Sequence, residues 1–269
     1  MKLTEAIKKL REAGVEDAAY EAREIFFRLG GISKVDLVSP SAECESPAVI
    51  SAIERRASRE PLGYILGEAT IYRETYKVNP AVLIPRPDTE ILIDYGVKNL
   101  HRGARFLDIC TGSGCVAISV LKNTKETTAL AIDISAAALG VARENSCRLG
   151  TEERLELIEA DALMYSTDEQ FDAILSNPPY IAENVYKGLQ KEIFFEPEIA
   201  FVGGEDGAKF YRELTRKYKS NLKNDGFIAY EIGYDQGDTL RKIAEENGMS
   251  CEIIKDLSGN DRVAVLKNK

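Results

Sequence analysis

The apolar segment FDAILS (171–176) is followed directly by Asn177, Pro178, Pro179 and Tyr180. Proline can neither extend a central strand nor continue a helix, so these four residues, here called the NPPY loop, are predicted to form a stiff loop after a strand. The loop offers two hydrogen-bond acceptors, the side-chain oxygen of Asn177 and the main-chain carbonyl of Pro178, and Tyr180 adds a flat aromatic face. A rigid turn without any chemistry is the alternative interpretation.

An acceptor pair beside an aromatic face suits a planar nitrogen as nucleophile, either an amide or the exocyclic amine of a base. The lone pair of such a nitrogen is delocalised, so the nitrogen attacks poorly until fixed acceptors bind its N–H groups, orient it and stabilise the developing positive charge. If that nitrogen accepts a methyl group, it becomes a cation that loses its proton readily, so no general base is required. The sole histidine, His101, has no neighbouring ligand or nucleophile and is predicted to be a surface residue.

A second chemical signal lies between the predicted strand ARFLDI (104–109) and the predicted helix GCVAISVLKN (114–123). In this glycine loop (110–114), Gly112 allows a tight turn and Gly114 allows a ligand to approach the backbone closely. A strand before the loop and a helix after it are typical of nucleotide-binding sheets.

Two acidic residues end the next predicted strands. Asp133 follows the glycine loop by about 20 positions, where a carboxylate accepts hydrogen bonds from both hydroxyls of a ribose. Its alternative role is a helix N-cap, although Ser135 can cap the same helix. Asp161 stands where many such sheets hold adenine, with a loop or cap carboxylate as its alternative. Because NAD(P) and S-adenosylmethionine both carry ribose and adenine, these residues leave the two cofactors open.

The elements that position these residues follow from periodicity. Strands and helices alternate from residue 86 onwards, which predicts an α/β fold with a doubly wound, mostly parallel sheet. The short link LSGND (257–261) suits a hairpin, so the last strand is predicted to be antiparallel. Residues 1–60 show only helical patterns, and Tyr64 to Val82 alternate as in a β-hairpin. We therefore divide the chain into a helical bundle (1–62), a hairpin connector (63–84) and a catalytic domain (85–269).

Composition limits the function classes. The net charge of −9 and the sequence pI of about 5.0 argue against broad contact with nucleic acid, which requires Lys and Arg clusters. The five cysteines form no CxxC pair, so no metal site is predicted. No apolar run reaches the roughly 18 residues of a membrane span, and the charged start MKLTEAIKKLREAG is not a signal peptide. We expect a cytoplasmic protein without membrane or direct nucleic-acid contacts.

The motifs together resemble the release factor glutamine methyltransferase family. NPPY with TGSG is similar to the amino-methyltransferases, whose signature is Asp, Asn or Ser, then two prolines, then an aromatic residue. The wider resemblance runs from about residue 60 to the C terminus, while the N-terminal bundle matches in architecture more than in motif. Its segments are, in chain order, EPLGYILG, VLIPRPDTE, LDICTGSG, SNPPYI, EPEIAFVGGEDGAKFYREL, EIGYDQ and DLSGNDRV.

This resemblance implies a Rossmann-like class I S-adenosylmethionine-dependent methyltransferase sheet and a small N-terminal bundle that grips the protein substrate. It implies methyl transfer to the side-chain amide nitrogen (N5) of the glutamine in the Gly-Gly-Gln motif of class-one peptide chain release factors, leaving S-adenosylhomocysteine. The expected cofactor-binding residues are Cys110, Thr111, Gly112, Ser113, Gly114, Asp133, Asp161, Ala162 and Asn177. The expected substrate-binding residues are Asn177, Pro178, Pro179 and Tyr180, with Asn177, Pro178 and Tyr180 as the catalytic residues.

Other positions carry less specific expectations. The segment IPRPDTE (84–90) is expected to pack over the methionine part of the cofactor, with Arg86 and Glu90 as polar candidates or as partners in ion pairs. Glu231 is expected either to buttress the site or to be purely structural. Cys110 stands where the family usually has glycine, and a side chain there would crowd the cofactor if the backbone needs a positive φ.

Four alternatives remain at this point. A glutamine methyltransferase acting on a ribosomal protein would use the same chemistry. An adenine-N6 methyltransferase would share the NPPY loop but would have to flip a base and follow phosphates. A dinucleotide-dependent dehydrogenase leaves the NPPY loop unexplained, as does an interaction module without a cofactor.

Overall fold

The computed structural model describes residues 1–39 and 41–269. These residues pack into two compact units, the first made of Met1–Ala69 and Gln190–Phe195 and the second of Thr70–Leu189 and Glu196–Lys269. The chain therefore leaves the first unit, returns to it for a short segment, and then completes the second. In the described part of the chain, no helix is long and apolar enough to cross a membrane.

The first unit is the predicted helical bundle. Each helix turns an apolar face inwards, with Leu3 and Leu10 buried on the first helix, Ile25 and Phe26 on the second and Ile53 on the third. This spacing is that of amphipathic helices packed on one core. The helices are α1 (Leu3–Glu12), α2 (Ala18–Gly30), α3 (Pro47–Ala57) and α4 (Leu62–Leu66), with 3₁₀ helices at Asp36–Val38 and Lys191–Phe195.

Charged residues join the two segments of the first unit. Arg56 on α3 is only 6% exposed and pairs with Glu21 on α2 and, at 3.1 Å, with Glu192. The Nε atom of Arg59 lies 2.6 Å from the same Glu192 carboxylate. Because an unpaired buried charge is costly, these ion pairs keep the segment 190–195 on the bundle.

The second unit contains a seven-stranded sheet with the order β5-β4-β3-β6-β7-β9-β8. β9 runs antiparallel to both β7 and β8, so the predicted antiparallel last strand is confirmed. A separate two-stranded hairpin precedes the sheet. The strands are β1 (Glu68–Ile71), β2 (Glu74–Lys77), β3 (Arg105–Ile109), β4 (Thr128–Asp133), β5 (Leu155–Glu159), β6 (Phe171–Ser176), β7 (Leu222–Glu231), β8 (Met249–Lys255) and β9 (Asp261–Asn268).

Helices cover both faces of this sheet. The helices are α5 (Thr89–Asn99), α6 (Cys115–Asn123), α7 (Ala136–Leu149), α8 (Glu183–Tyr186), α9 (Lys209–Tyr218) and α10 (Gly237–Glu246), with 3₁₀ turns at Glu198–Ala200 and Lys219–Asn221. Phe106 packs in the core that includes Leu92 of α5, whereas the adjacent Leu107 packs in the core that includes Leu214 of α9 and Leu240 of α10. Burial on both faces explains why the central strands are apolar almost throughout.

The hairpin predicted over Tyr64 to Val82 is wrong at both ends, since its strands cover only Glu68–Ile71 and Glu74–Lys77. Only β1 and β2 form the hairpin, and the residues before them form α4, which ends at Leu66 and is capped by Gly67 with a φ of 72°. Tyr64 and Ile65 are both buried although they are adjacent, which a strand with one solvent face does not allow. So short a run fits a strand period and a helix period almost equally well. The sequence-based boundaries also do not anticipate that the segment 190–195 packs with the first unit.

Candidate active site

Four loops meet at the carboxyl edge of the sheet, because the strands before them are parallel neighbours. β3 lies between β4 and β6, with Ile109 opposite Ile132 on one side and Ser176 on the other. β4 pairs in turn with β5. The loops that follow these strands therefore lie side by side, at the position where open α/β sheets bind ligands.

A pocket of about 300 Å³ lies at this edge, entirely within the second unit. Its lining is mostly apolar with a few polar groups, which is typical of small-molecule sites. Among the residues predicted from the sequence, the pocket is lined by Cys110, Thr111, Gly112, Ser113, Asp133, Asp161, Ala162, Asn177 and Pro179. Gly114, Pro178 and Tyr180 lie beside the pocket and do not line it.

Asp108, a residue that the sequence motif did not single out, binds the glycine loop through hydrogen bonds. Asp108 is 1% exposed, and its Oδ2 accepts hydrogen bonds from the Thr111 hydroxyl at 2.6 Å and from the Ala117 amide at 3.2 Å. Burial raises the pKa of this carboxyl to about 7, although both hydrogen bonds favour its charged form. An acidic residue inside an otherwise apolar strand is the signal that could have identified it.

Left-handed backbone shapes the same loop. Cys110, Gly112 and Gly114 have φ values of 60°, 54° and 81°. A Cβ on Gly114 would lie 2.8 Å from Ile118 and 3.2 Å from Ala142, so this glycine serves the packing of α6 on α7. Cys110 carries a side chain in a conformation that disfavours one, so the departure from glycine at this position has a conformational cost.

Asp133 has hydrogen-bond acceptor positions left for the hydroxyls of a ribose. Its two oxygens accept hydrogen bonds from the amides of Gly112 and Ser135, both at 2.9 Å, and burial raises its pKa. The N-cap of α7 is Ser135, whose hydroxyl accepts from Ala138 at 3.2 Å. A carboxylate has about four acceptor positions, so Asp133 retains some for a ligand.

Apolar side chains continue the pocket beyond Asp133. Ile134 lines it while 51% exposed, and Ala162 and Leu163 follow Asp161 at the end of the neighbouring strand. The Asp161 carboxylate accepts a hydrogen bond from the Leu163 amide at 2.8 Å. Apolar side chains beside backbone groups suit a purine ring.

The NPPY loop is held by segments that are far from it in the sequence. The Ile181 amide donates to Phe201 and the Gly203 amide donates back to Ile181, both at 2.8 Å. A Cβ on Gly203 would lie 2.5 Å from the Pro179 carbonyl oxygen, so only glycine permits this approach. Gln236 Nε2 donates to the Tyr180 carbonyl at 3.0 Å. The sequence pattern identified these segments only as parts of the family motif.

The acceptors of the NPPY loop are available to a ligand. Asn177 Nδ2 donates to the Thr89 hydroxyl at 3.4 Å, which leaves Oδ1 of Asn177 free to accept. Pro178 is buried, and its carbonyl accepts no hydrogen bond from residues 1–39 or 41–269. A main-chain carbonyl without a partner beside a pocket has the capacity to accept a hydrogen bond from a ligand.

Comparison with known proteins identifies the family. A family model described as PrmC N-terminal domain matches residues 2–67, and one described as Methyltransferase small domain matches residues 87–198. A release factor glutamine methyltransferase of Caulobacter vibrioides is 35% identical over 97% of this chain and 93% of its own length. One from Thermodesulfovibrio yellowstonii is 38% identical over 92% of this chain and 91% of its own length. The chain belongs to the release factor glutamine methyltransferase family.

A solved structure supports the fold of this family member. Ribosomal protein L11 methylase from Lactobacillus delbrueckii subsp. bulgaricus has a TM-score of 0.53 at 22% identity, over 71% of this chain and 84% of that one. The predicted Rossmann-like class I methyltransferase fold is therefore confirmed. Family membership makes S-adenosylmethionine the cofactor, which decides between the two that the glycine loop left open. The free acceptor positions of Asp133 and the apolar wall after it fit that molecule.

The segment IPRPDTE of this methyltransferase contributes Pro85 and Thr89 to the pocket rather than the two polar residues expected. Arg86 pairs with Glu196, and Glu90 accepts a hydrogen bond from the Tyr72 amide at 2.7 Å. Neither Arg86 nor Glu90 lines the pocket, whereas Thr89 does. The buried Glu196 also accepts from the Ile84 amide at 2.9 Å, so it ties this segment to the chain around 196.

Metal ligands are not grouped in the described residues. No three side chains of His, Cys, Asp or Glu in that part of the chain come together as they would to hold a metal ion. His101 lies on the surface, with Nε2 3.1 Å from Asp172.

Proposed function

We propose that this protein transfers the methyl group of S-adenosylmethionine to the N5 amide nitrogen of the glutamine in the Gly-Gly-Gln motif of class-one peptide chain release factors. The observation that carries this proposal is the free acceptor pair, Asn177 Oδ1 and the Pro178 carbonyl, next to a pocket that fits S-adenosylmethionine. Family membership supports the same substrate. A cytoplasmic location, where release factors act, fits this role.

The chain's own groups assist a single displacement. The two N–H groups of the substrate amide donate to Asn177 and Pro178, which orients the nitrogen lone pair and stabilises the charge that develops on nitrogen. The nitrogen forms a bond to the methyl carbon, and the carbon–sulfur bond breaks with its electron pair going to sulfur. S-adenosylmethionine would supply the methyl group from its sulfonium and would leave as the neutral thioether S-adenosylhomocysteine, while the nitrogen releases one proton to solvent. Tyr180 supplies an aromatic face for the planar amide.

The experiment that tests this function uses labelled S-adenosylmethionine with an intact class-one release factor and with a variant that has asparagine in place of the motif glutamine. We expect label on the first protein only, and mass spectrometry should place one methyl group on that glutamine. Label on both proteins would overturn the glutamine assignment. Label on a ribosomal protein in a parallel reaction, without label on the release factor, would indicate the ribosomal alternative.

We also propose that the first unit binds the release factor. The matched N-terminal domain model supports this role, and so do three well-exposed apolar side chains, Tyr20, Val35 and Val38, which are 62%, 80% and 79% exposed. An apolar patch that includes these side chains would suit contact with a protein.

Replacing both valines by serine should raise KM for intact release factor several-fold without changing the affinity for S-adenosylmethionine, because the cofactor pocket lies in the second unit. Steady-state kinetics and calorimetry measure the two effects. A matched control replaces Val185, which is 52% exposed in the second unit, by serine. An unchanged KM in the double variant would contradict this role.

A further inference from the structure

Asn145 on α7 is a polar residue that the proposed reaction does not use. It is fully buried, yet its side-chain amide is bound at both ends. Oδ1 accepts from the Lys77 amide at 2.7 Å, while Nδ2 donates to the Lys77 carbonyl at 3.0 Å and to the Ser113 carbonyl at 2.9 Å. Both donor hydrogens of the amide are therefore used, and all three partners are backbone groups.

The two backbone partners of Asn145 belong to different parts of the second unit. Lys77 is the last residue of β2 in the hairpin, whereas Ser113 lies in the glycine loop and lines the cofactor pocket. Asn145 binds both the N–H and the C=O of Lys77, as a neighbouring strand would. One side chain thus joins β2 to the glycine loop.

The peptide group between Ser113 and Gly114 is bound at both of its polar atoms. Its carbonyl accepts from Asn145, and its N–H, on Gly114, donates to the Thr111 carbonyl at 2.8 Å. Rotation of this peptide plane would change the φ of Gly114, which is 81°. Because glycine adopts many backbone conformations, sterics alone do not hold Gly114 there. The hydrogen bond from Asn145 therefore helps to fix the shape of the glycine loop.

The hairpin is itself anchored to α6, the helix that follows the glycine loop. Tyr76, next to Lys77 in β2, is fully buried, and its hydroxyl lies 2.6 Å from the Ser119 hydroxyl. Glu74, at the start of β2, accepts from Ser119 at 3.3 Å and from Asn123 at 3.4 Å. Because these contacts hold β2 on α6, the strand is a fixed support for Asn145.

We propose that Asn145 is a positioning residue for S-adenosylmethionine, which holds the glycine loop in its cofactor-binding conformation by joining it to β2. The hairpin, which the sequence assigned to a connector, then supports the cofactor site. The role of Asn145 does not depend on which protein is methylated, so it can be tested without release factor.

The first test measures the affinity of Asn145→Ala for S-adenosylmethionine by calorimetry. The substitution removes all three hydrogen bonds and leaves the Ser113 carbonyl without this donor. We expect the dissociation constant to rise about 10-fold, the effect of losing one buried hydrogen bond to the loop. In steady-state kinetics, KM for S-adenosylmethionine should rise to a similar extent. The kcat at saturating cofactor should stay within about 3-fold, because the NPPY loop keeps its partners.

The matched control is Ser146→Ala, at the next position of α7. Ser146 is buried, and its hydroxyl pairs with the Thr151 hydroxyl at 2.9 Å, so the control also removes a buried hydrogen bond from this part of the chain. That hydrogen bond involves neither β2 nor the glycine loop, so the affinity should not change. Unchanged affinity in Asn145→Ala, or an equal loss of affinity in the control, would overturn the proposal.

Hydrogen exchange in the unmodified protein decides the case in which Asn145→Ala does not fold. The Lys77 amide donates to Asn145 and does not line the pocket. Cofactor binding should nevertheless slow its exchange several-fold more than that of the Thr151 amide, which donates to the Ser146 carbonyl and reports general stabilisation. Equal slowing of the two amides, measured by NMR with and without S-adenosylmethionine, would refute the role of Asn145.

The outcomes distinguish this role from the proposed function. Weakened cofactor binding in Asn145→Ala, together with no label on release factor in the unmodified protein, would overturn only the substrate assignment. Normal cofactor binding in Asn145→Ala, together with labelled release factor, would overturn only the role of Asn145.

Discussion

The glycine loop and the NPPY loop lie at the same edge of one sheet but are held in different ways. The glycine loop depends on partners that are close in the sequence. Its Thr111 hydroxyl donates to Asp108, three residues earlier, and its Gly112 amide donates to Asp133, 21 residues later.

The NPPY loop depends on partners that are far away in the sequence. Asn177 donates to Thr89, which is 88 residues earlier, and the Tyr180 carbonyl accepts from Gln236, 56 residues later. Gly203 lies against its backbone from a third segment. The cofactor loop is thus largely a local structure, whereas the loop that selects the nucleophile is assembled by the tertiary fold. Changes in the two loops should therefore separate cofactor binding from turnover.

The largest loss of turnover is expected from Asn177→Ala in the NPPY loop. Removing one of two preorganised acceptors should lower kcat by about 10²–10³-fold, because the charge developing on nitrogen loses half of its stabilisation. Affinity for S-adenosylmethionine, measured by calorimetry, should fall much less than kcat, although Asn177 also lines the cofactor pocket. Asn224→Ala, at an exposed position of β7, is the control and should be neutral. Near-normal turnover in Asn177→Ala would contradict the hydrogen-bonding role.

A smaller loss of turnover is expected from Gly203→Ala, a substitution that lies outside both loops. Its Cβ would lie 2.5 Å from the Pro179 carbonyl oxygen and 2.8 Å from the Tyr180 Cα, so the NPPY loop must shift. A shift of this size should lower kcat by about 10- to 100-fold with cofactor affinity retained. The matched control is Gly140→Ala on α7, where a Cβ meets no atom within 4 Å. Equal turnover in the two variants would show that the NPPY loop is not held from a distance.

The smallest effect is expected in the glycine loop, from Cys110→Gly. Because Cys110 has a φ of 60°, removing its side chain should raise the free energy of unfolding by about 1 kcal/mol. The opposite sign is expected for Cys147→Gly on α7, where glycine should lower it by a few tenths of a kcal/mol. Chemical denaturation measures both. A destabilised Cys110→Gly protein would mean that the thiol contributes more by packing than it costs by conformation.

Periodicity and motif spacing were sufficient for most of the fold. The alternation of strands and helices predicted the doubly wound sheet, and the short LSGND link predicted the antiparallel β9. The pattern failed at α4, because five residues are too few to distinguish a helix from a strand. The pattern also did not predict that Glu192 ties its segment to Arg56 and Arg59 in the first unit, since an ion pair between distant residues leaves no periodic signal.

The sequence by itself determined which groups are present: a glycine loop after a strand, acids at strand ends, and two acceptors stiffened by prolines. These are local properties, since φ restrictions and strand periodicity act over a few residues. Only the tertiary structure decided how the two acceptors are oriented. Thr89, Gly203, Glu231 and Gln236 meet the NPPY loop because the parallel sheet brings distant segments to one edge, and the direction of a hydrogen bond depends on which groups meet there.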